Sequence, residues 1–272
     1  MVARAWPSES VIPRCVQAKH DLDSALLAEI GRRTAGLTLP DDITDNDAAA
    51  LVRATAGPMV RGLFRPEEQE PVLAAVVAGA VFLTPATIRR AIVMGRQPRT
   101  GWTVANIYLN SVGAEPFSAE FSGLVGLSDG TSCYVTAEYL NARDHFSDFL
   151  VHEVAHMFHN CHRHQLGLVQ TVDTKYPLPI DYRRHETFAY SCEFFSCITA
   201  RATLPADRLA LVAVLEASWR ADEERVDIGL VVDILRQAVV APDGWQVVLQ
   251  RCRAPEEPPP PKRRRKPARQ LA

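Results

Sequence analysis

The sequence predicts an α+β protein that is mostly helical, with a small antiparallel or mixed sheet ahead of a histidine-rich helix. Three observations predict this class. Residues 1–100 are rich in helix formers, the segments that follow are rich in β-branched and aromatic residues, and helical patterns resume from about residue 144. The chain has 272 residues, of which 47% are hydrophobic and 23% charged, so it can bury a sizeable core.

We divide the chain into three regions. Residues 1–100 form a helical N-terminal region, residues 101–253 form a core with C-terminal helices, and residues 254–272 form a tail. The tail has five prolines ahead of a run of Lys and Arg, a composition that cannot bury a core, so we expect it to be disordered. It carries six Lys or Arg and two Glu, which leaves the rest of the chain at about −6 within an overall net charge of −2.

Helix start signals recur through the N-terminal region. Asp, Thr or Pro stands at the start of several segments of helix-forming composition, where these residues cap or begin helices. We therefore expect helices over residues 21–33, 45–57, 66–83 and 84–96.

The small sheet is predicted from three segments. β-branched and aromatic residues are frequent in residues 102–112, 122–128 and 132–140, as is typical of strands. The last two segments are joined through Asp129-Gly130, a strong signal for a hairpin loop.

Four helical segments follow the predicted sheet. They cover residues 145–160, 185–200, 206–220 and 223–240. Asp144 stands where it can cap the first of them, whose apolar side chains supply a face for burial.

The first of these helices carries His152, Glu153 and His156, in the pattern H-E-x-x-H. At 100° per residue the two histidines lie ~40° apart around the helix and ~6 Å apart along its axis, so both imidazoles can converge on one metal ion. Glu153 points beside that face, where it can take a proton from a water at the metal without occupying a coordination position. The spacing predicts a catalytic zinc site, which needs a third protein ligand.

His162 is one candidate for the third ligand. It lies ten residues after His152, which is the spacing of metzincins, whose pattern is H-E-x-x-H-x-x-G-x-x-H. Here His159 replaces the glycine that turns the metzincin chain. Met157 is the last methionine, so no later one can form the methionine turn of that family. His162 is therefore the less favoured candidate.

Glu186 is the favoured candidate, because its segment resembles the helix from which gluzincins supply a glutamate as third ligand, some way downstream of the motif. Ala189, three residues on, is small enough to let two helices pack closely. Glu193, seven residues on, returns to the same face and can anchor a ligand histidine from behind. An ordinary helix-start glutamate is the alternative interpretation of Glu186.

His152, Glu153, His156 and Glu186 together resemble zinc metallopeptidases of the zincin fold, gluzincin type. The resemblance implies one Zn²⁺ per chain and a water, activated by the zinc and by Glu153, that attacks the scissile carbonyl. Glu153 then passes the proton to the leaving amine. The resemblance also implies that an edge strand, here "GLVGLS" or "SCYVT", binds the substrate in extended form.

Tyr182, His185 and Tyr190 lie close to Glu186 in the sequence, and each could donate a hydrogen bond to a tetrahedral intermediate as an oxyanion donor. The sequence leaves these three alternatives open. Tyr190 also occupies the position where some gluzincins have an acidic residue. His159 lies on the face of the motif, but ~10.5 Å beyond its first histidine, so we expect it at the rim of a cleft.

Two further features bear on partners and location. "KRRRK", within the basic residues 262–269, could bind nucleic acid or another acidic partner, act as a nuclear address in a eukaryotic host, or simply solubilise the chain. Six cysteines without a C-x-x-C pair indicate a reducing, cytoplasmic setting. The most apolar stretch, residues 71–83, is too short to span a membrane, so no membrane partner is expected.

The sequence thus favours an intracellular zinc metalloendopeptidase-like hydrolase that acts on a protein or peptide. The alternative is a non-enzymatic scaffold or nucleic-acid-associated protein. In that case the metal site would be structural or vestigial, and the basic tail would be the functional part.

Overall fold

A computed structural model describes residues 11–95, 97–121, 124–140, 146–171, 174–220 and 226–254. Within these ranges the helices and strands are, in chain order, α1 (Val11–Thr34), α2 (Asp45–Leu63), α3 (Pro66–Gly79), β1 (Ala80–Leu83), α4 (Ile88–Met94), α5 (Pro98–Ser111), β2 (Gly126–Asp129), β3 (Ser132–Thr136), α6 (Phe149–Asn160), α7 (His185–Arg201), α8 (Pro205–Ser218), α9 (Ile228–Ala238) and α10 (Gly244–Cys252). The protein is mostly helical with a small mixed sheet, which confirms the predicted α+β class.

The sheet has β3 in the middle, parallel to β1 and antiparallel to β2. β2 ends at Asp129 and β3 begins at Ser132, so the two strands form the predicted hairpin. Gly130, the first loop residue, has a φ of 61°, a left-handed conformation that glycine adopts without a Cβ clash.

The strand predicted over residues 102–112 is wrong, because this segment belongs to α5. Pro98 lies in the first turn of that helix, where a proline needs no hydrogen-bond partner and its fixed φ suits the helix. Almost every residue from Thr100 to Leu109 is buried, including the polar Thr100, Thr103 and Asn106. The segment therefore has no exposed polar face typical of a surface helix, and its β-branched and aromatic content resembles a strand.

Two other predicted boundaries are also corrected. The helix predicted over residues 66–83 ends at Gly79, and its last four residues form the buried strand β1. Asp144 lies outside the described residues, and α6 begins only at Phe149. Its N-cap is Asp148, whose carboxylate accepts a hydrogen bond from the Val151 amide at 3.1 Å.

The sheet separates two hydrophobic cores. The larger core joins α2 and α3 with α6, α7, α9 and α10, and the smaller one joins α1, α4 and α5. Alternate residues of β3 serve the two cores, since Cys133 and Val135 face the larger and Tyr134 faces the smaller. The domain boundary at residue 100 stays a prediction, and the tail beyond Ala254 lies outside the described residues.

Two observations bear on the setting of the chain. Within the described ranges, no helix is both long enough and apolar enough to cross a membrane. The six cysteines are free thiols, and all except Cys15 are buried.

The step from α3 to β1 yields a stability prediction. An alanine Cβ at Gly79 would lie 2.0 Å from the Thr131 carbonyl oxygen, and backbone cannot move away cheaply. We expect Gly79→Ala to cost about 1–3 kcal/mol and to lower the Tm by several degrees.

The matched control is Gly31→Ala, in the last turn of α1, where an added Cβ would meet nothing within 4 Å. This change should raise stability by about 0.5–1 kcal/mol, because alanine is the better helix former. Equal melting temperatures for the two variants would contradict the close approach at Gly79.

Candidate metal centre

The candidate site lies where α6 packs against α7. The buried face of α6, which includes Leu150, Val154 and Phe158, joins the larger core. Ala189 on α7 is fully buried, as expected for a small residue at a close helix contact. The motif residues His152 and His156 therefore face the N-terminal turn of α7 rather than open solvent.

Three side chains converge at this point, and we call them the His–His–Glu group: His152, His156 and Glu186. The two Nε2 atoms are 3.1 Å apart, and they lie 3.7 and 3.4 Å from Oε2 of Glu186. A tetrahedral ion with bonds of ~2.0–2.1 Å holds its ligand atoms about 3.3 Å apart. Among the described residues, this is the group of His, Cys, Asp or Glu side chains that is close enough to bind a metal ion.

His152 is held from behind by Glu193. Oε2 of this glutamate lies 3.0 Å from Nδ1 of His152, and Oε1 accepts a hydrogen bond from the Asp148 amide at 2.8 Å. Only 3% of Glu193 is exposed. A hydrogen bond at Nδ1 leaves Nε2 free for a metal, so this is the contact that the predicted anchoring role of Glu193 requires.

The other two members of the group also have outer partners. Nδ1 of His156 lies 2.9 Å from Nε2 of His159, which the sequence prediction placed only at a cleft rim. Nε2 of His185 lies 3.1 Å from Oε1 of Glu186, and its Nδ1 contacts the Tyr182 carbonyl. Each of the three side chains is therefore fixed by a second residue.

Burial and close contacts shift the ionisation of the group strongly. Burial favours the neutral form of Glu186, but hydrogen bonds with His152 and His156 outweigh it and hold its pKa well below the usual range. Burial alone would lower the pKa of His152, but its contacts with Glu186 and Glu193 raise the pKa to about 10. The carboxylates of Glu186 and Glu193 thus favour a positive charge where the side chains of the His–His–Glu group meet.

The remaining histidines of the helix are kept neutral by burial. Burial lowers the pKa of His156, and it lowers the pKa of His159 to about 3. A neutral imidazole is the form that binds a metal or accepts a hydrogen bond.

Glu153 lies between the His–His–Glu group and β2. Burial raises its pKa to about 7, against the opposing effect of His152. An added Cβ at Gly126, the first residue of β2, would lie 2.8 Å from Oε1 of Glu153, so only a glycine leaves room for this carboxylate. A buried carboxylate with a pKa near neutrality is suited to act as a general base.

A cleft of about 580 Å³ opens onto the site and is lined by His152 and Glu153. One wall contains the segment ahead of β2, and the other is the aromatic cluster of Tyr190, Phe194 and Trp219. The Tyr190 ring lies 4.6 Å from the His152 ring, edge to face. The cleft thus reaches the His–His–Glu group on the side where His152 and Glu153 lie.

The three predicted oxyanion donors occupy different places. Tyr190 lines the cleft, whereas Tyr182 is 81% exposed and stacks on His185. Both ring nitrogens of His185 already have contacts, with Glu186 and with the Tyr182 carbonyl. The choice among the three stays a prediction, and Tyr190 is the one that faces the cleft.

His162, the alternative third ligand, is not a member of the His–His–Glu group. Its ring packs beside His164 and Tyr176, with centroid distances of 5.5 and 5.7 Å. α6 ends at Asn160, so the chain has already left the helix when it reaches His162.

Of the two segments predicted as the edge strand, one lies in the middle of the sheet and the other at an edge. β3, which contains the segment "SCYVT", is paired on both sides and cannot accept a substrate strand. β2, which contains the end of "GLVGLS", is an edge of the described sheet and lies next to Glu153.

Comparison with known proteins adds no relatives: no protein-family model, curated protein or solved structure matches this chain. The structure itself shows a group of two histidines and one glutamate that is close enough to bind a metal ion. The likeness to gluzincins therefore rests on these residues and on Glu153.

The third ligand can be tested by metal binding alone. We expect Glu186→Ala to weaken zinc binding by more than the ~10–100-fold that is typical of losing an outer partner. His162→Ala should leave the affinity unchanged, because its ring lies with His164 and Tyr176. Competition with a chromogenic chelator measures the zinc affinity of both variants. A larger loss for His162→Ala would mean that the third ligand is misassigned.

Proposed function

We propose that this protein is a zinc-dependent metallopeptidase that binds one Zn²⁺ per chain through His152, His156 and Glu186. The observation that carries the proposal is the convergence of two imidazole nitrogens and one carboxylate oxygen, 3.1 to 3.7 Å apart, beside the part-buried carboxylate of Glu153. Three protein ligands with a cleft at the fourth position are typical of catalytic zinc, whereas structural zinc is closed by four.

Two kinds of metal ion accept this set of side chains. Two histidines and one carboxylate also bind non-haem iron, as a facial triad. Octahedral geometry would hold the three atoms about 3.0 Å apart, against about 3.3 Å for a tetrahedral ion. The three observed distances, 3.1, 3.4 and 3.7 Å, span both values, so the proposal of zinc rests on the H-E-x-x-H pattern with Glu153 beside the ligands.

The chain's own residues supply the proton transfer. When bound, zinc supplies Lewis acidity and lowers the pKa of a water molecule to about 7. The Glu153 carboxylate accepts the proton of the attacking water and delivers it to the leaving nitrogen of the peptide bond. Glu193 and the helix packing keep His152 oriented throughout.

The substrate we propose is a protein or peptide bound in extended form. An extended segment can add to the edge of β2, where main-chain hydrogen bonds hold it irrespective of sequence. Its scissile bond would then lie beside Glu153, which is next to Gly126 of that strand.

The rival proposal is a scaffold or nucleic-acid-associated protein that acts through residues 262–269. These residues lie outside the described ranges, and the rival remains a prediction from sequence, as does a cytoplasmic location. No observation in the described part of the chain favours it over the peptidase.

Separating metal binding from hydrolysis tests the proposal. Glu153→Gln should retain about one zinc per chain and lose about 10²–10⁴-fold in hydrolysis, because the amide cannot accept the proton. His156→Ala should lose both zinc and hydrolysis. Metal analysis and cleavage profiling of a proteome-derived peptide library measure the two properties. A wild-type chain without zinc, or a fully active Glu153→Gln variant, would overturn the proposal.

The contact between Gly126 and Glu153 gives a second test. Gly126→Ala should displace the carboxylate and lower kcat/KM by about 10²-fold, because a shift of ~1 Å in a reacting group costs that much. Zinc content should not change, since no member of the His–His–Glu group is touched. Gly31→Ala serves as the control. Normal turnover by Gly126→Ala would argue against Glu153 as the base.

A further inference from the structure

His159 is a part-buried histidine that the proposed reaction does not use. It lies three residues after His156 and seven after His152, so the three side chains share one face of α6. Its ring meets the His156 ring at a centroid distance of 5.1 Å and an interplanar angle of 80°. The two rings therefore meet edge to face, with Nε2 of His159 aimed at Nδ1 of His156 at 2.9 Å.

This contact determines which nitrogen of His156 is available. A neutral imidazole carries one proton, and its other nitrogen carries the lone pair that can bind a metal. For Nε2 to face the metal position, the proton must be on Nδ1, and a buried N–H needs an acceptor. Nε2 of His159 is at hydrogen-bond distance for that role.

The two imidazoles of the group thus have outer partners of different charge. Nδ1 of His152 meets the carboxylate of Glu193, whereas Nδ1 of His156 meets another imidazole. His159 is in turn packed against His185, 5.6 Å away between ring centroids, and His185 contacts Glu186. A second layer of histidines therefore lies behind two of the three metal-facing side chains.

We propose that His159 is a positioning residue for the metal. It accepts the Nδ1–H of His156 and so holds the ring in the tautomer and orientation that present Nε2. This inference rests on the metal site of the proposed function, but not on peptide hydrolysis. Loss of His159 leaves the Nδ1–H of His156 without its acceptor and allows the ring to turn.

Metal affinity and the spectrum of bound cobalt test this role. Three variants are compared with the wild type: His159→Ala, His159→Gln and His164→Ala. Glutamine has a carbonyl oxygen at a similar distance from the backbone and can accept the same hydrogen bond. His164 is an exposed histidine whose ring packs beside His162, so its removal is the matched control.

We expect His159→Ala to bind zinc about 10–100-fold more weakly than the wild type, which is the usual effect of losing an outer partner. Its Co²⁺ complex should show altered visible absorption, because the ligand field changes when His156 turns. His159→Gln should recover most of the affinity and the wild-type spectrum, and His164→Ala should match the wild type. Circular dichroism checks that every variant is folded.

Two results would overturn the inference while leaving the proposed function intact. One is a His159→Ala variant with wild-type affinity and spectrum. The other is a His159→Gln variant that is as weak as His159→Ala, which would assign the effect to ring packing rather than to hydrogen-bond acceptance. A wild-type chain that binds neither zinc nor cobalt would overturn both.

Discussion

The packing of α6 against α7 is the constraint on which the rest of the site depends. α6 alone brings two imidazoles together, but Glu186 reaches them only because α7 lies alongside. Removing the Glu186 carboxylate from water, with Glu193 close to it, costs on the order of several kcal/mol. Positive charge or hydrogen-bond donors nearby can offset this desolvation cost. The contacts with His152 and His156 supply part of that compensation, and a divalent cation would supply more. The side-chain atoms that could hold a metal therefore also form polar contacts between α6 and α7.

α6 also lies between α7 and the sheet, so neighbouring residues of α6 contact different elements. Successive residues of a helix point 100° apart, so neighbours in sequence can face different elements. His152 faces α7, whereas Glu153 faces β2, where Gly126 leaves room for its carboxylate. The hairpin turn at Gly130 keeps β2 at the edge of the sheet beside the cleft. One helix thus presents two imidazoles that could hold a metal on one side, and a part-buried carboxylate next to an edge strand of the described sheet on the other.

Spacing along the sequence is sufficient to predict those parts of the site that lie on a single helix. The i, i+4 spacing predicts that His152 and His156 lie on one face of α6. Glu193 follows Glu186 by seven residues, about two helical turns, which predicts that both lie on one face of α7. The contact of His159 with His156 is not predicted from the distance of His159 along the helix axis, which excludes only direct ligation beside His152; its i+3 spacing from His156 is the signal that indicates it. The strand predicted over residues 102–112 is wrong for another reason: the β-branched and aromatic content of this segment favours a strand, but tertiary packing buries almost all of it as a helix and overrides that β-propensity.

The central claim is that one metal ion is held by two imidazoles and one carboxylate. X-ray absorption at the zinc edge of the purified chain tests it most directly, because nitrogen or oxygen ligands at about 2.0–2.1 Å are distinguished from thiolates at about 2.3 Å. We expect a four-coordinate shell of nitrogen and oxygen, with imidazole scattering from two histidines and no sulfur. A sulfur shell, which would indicate one of the free cysteines, or a six-coordinate shell would contradict it.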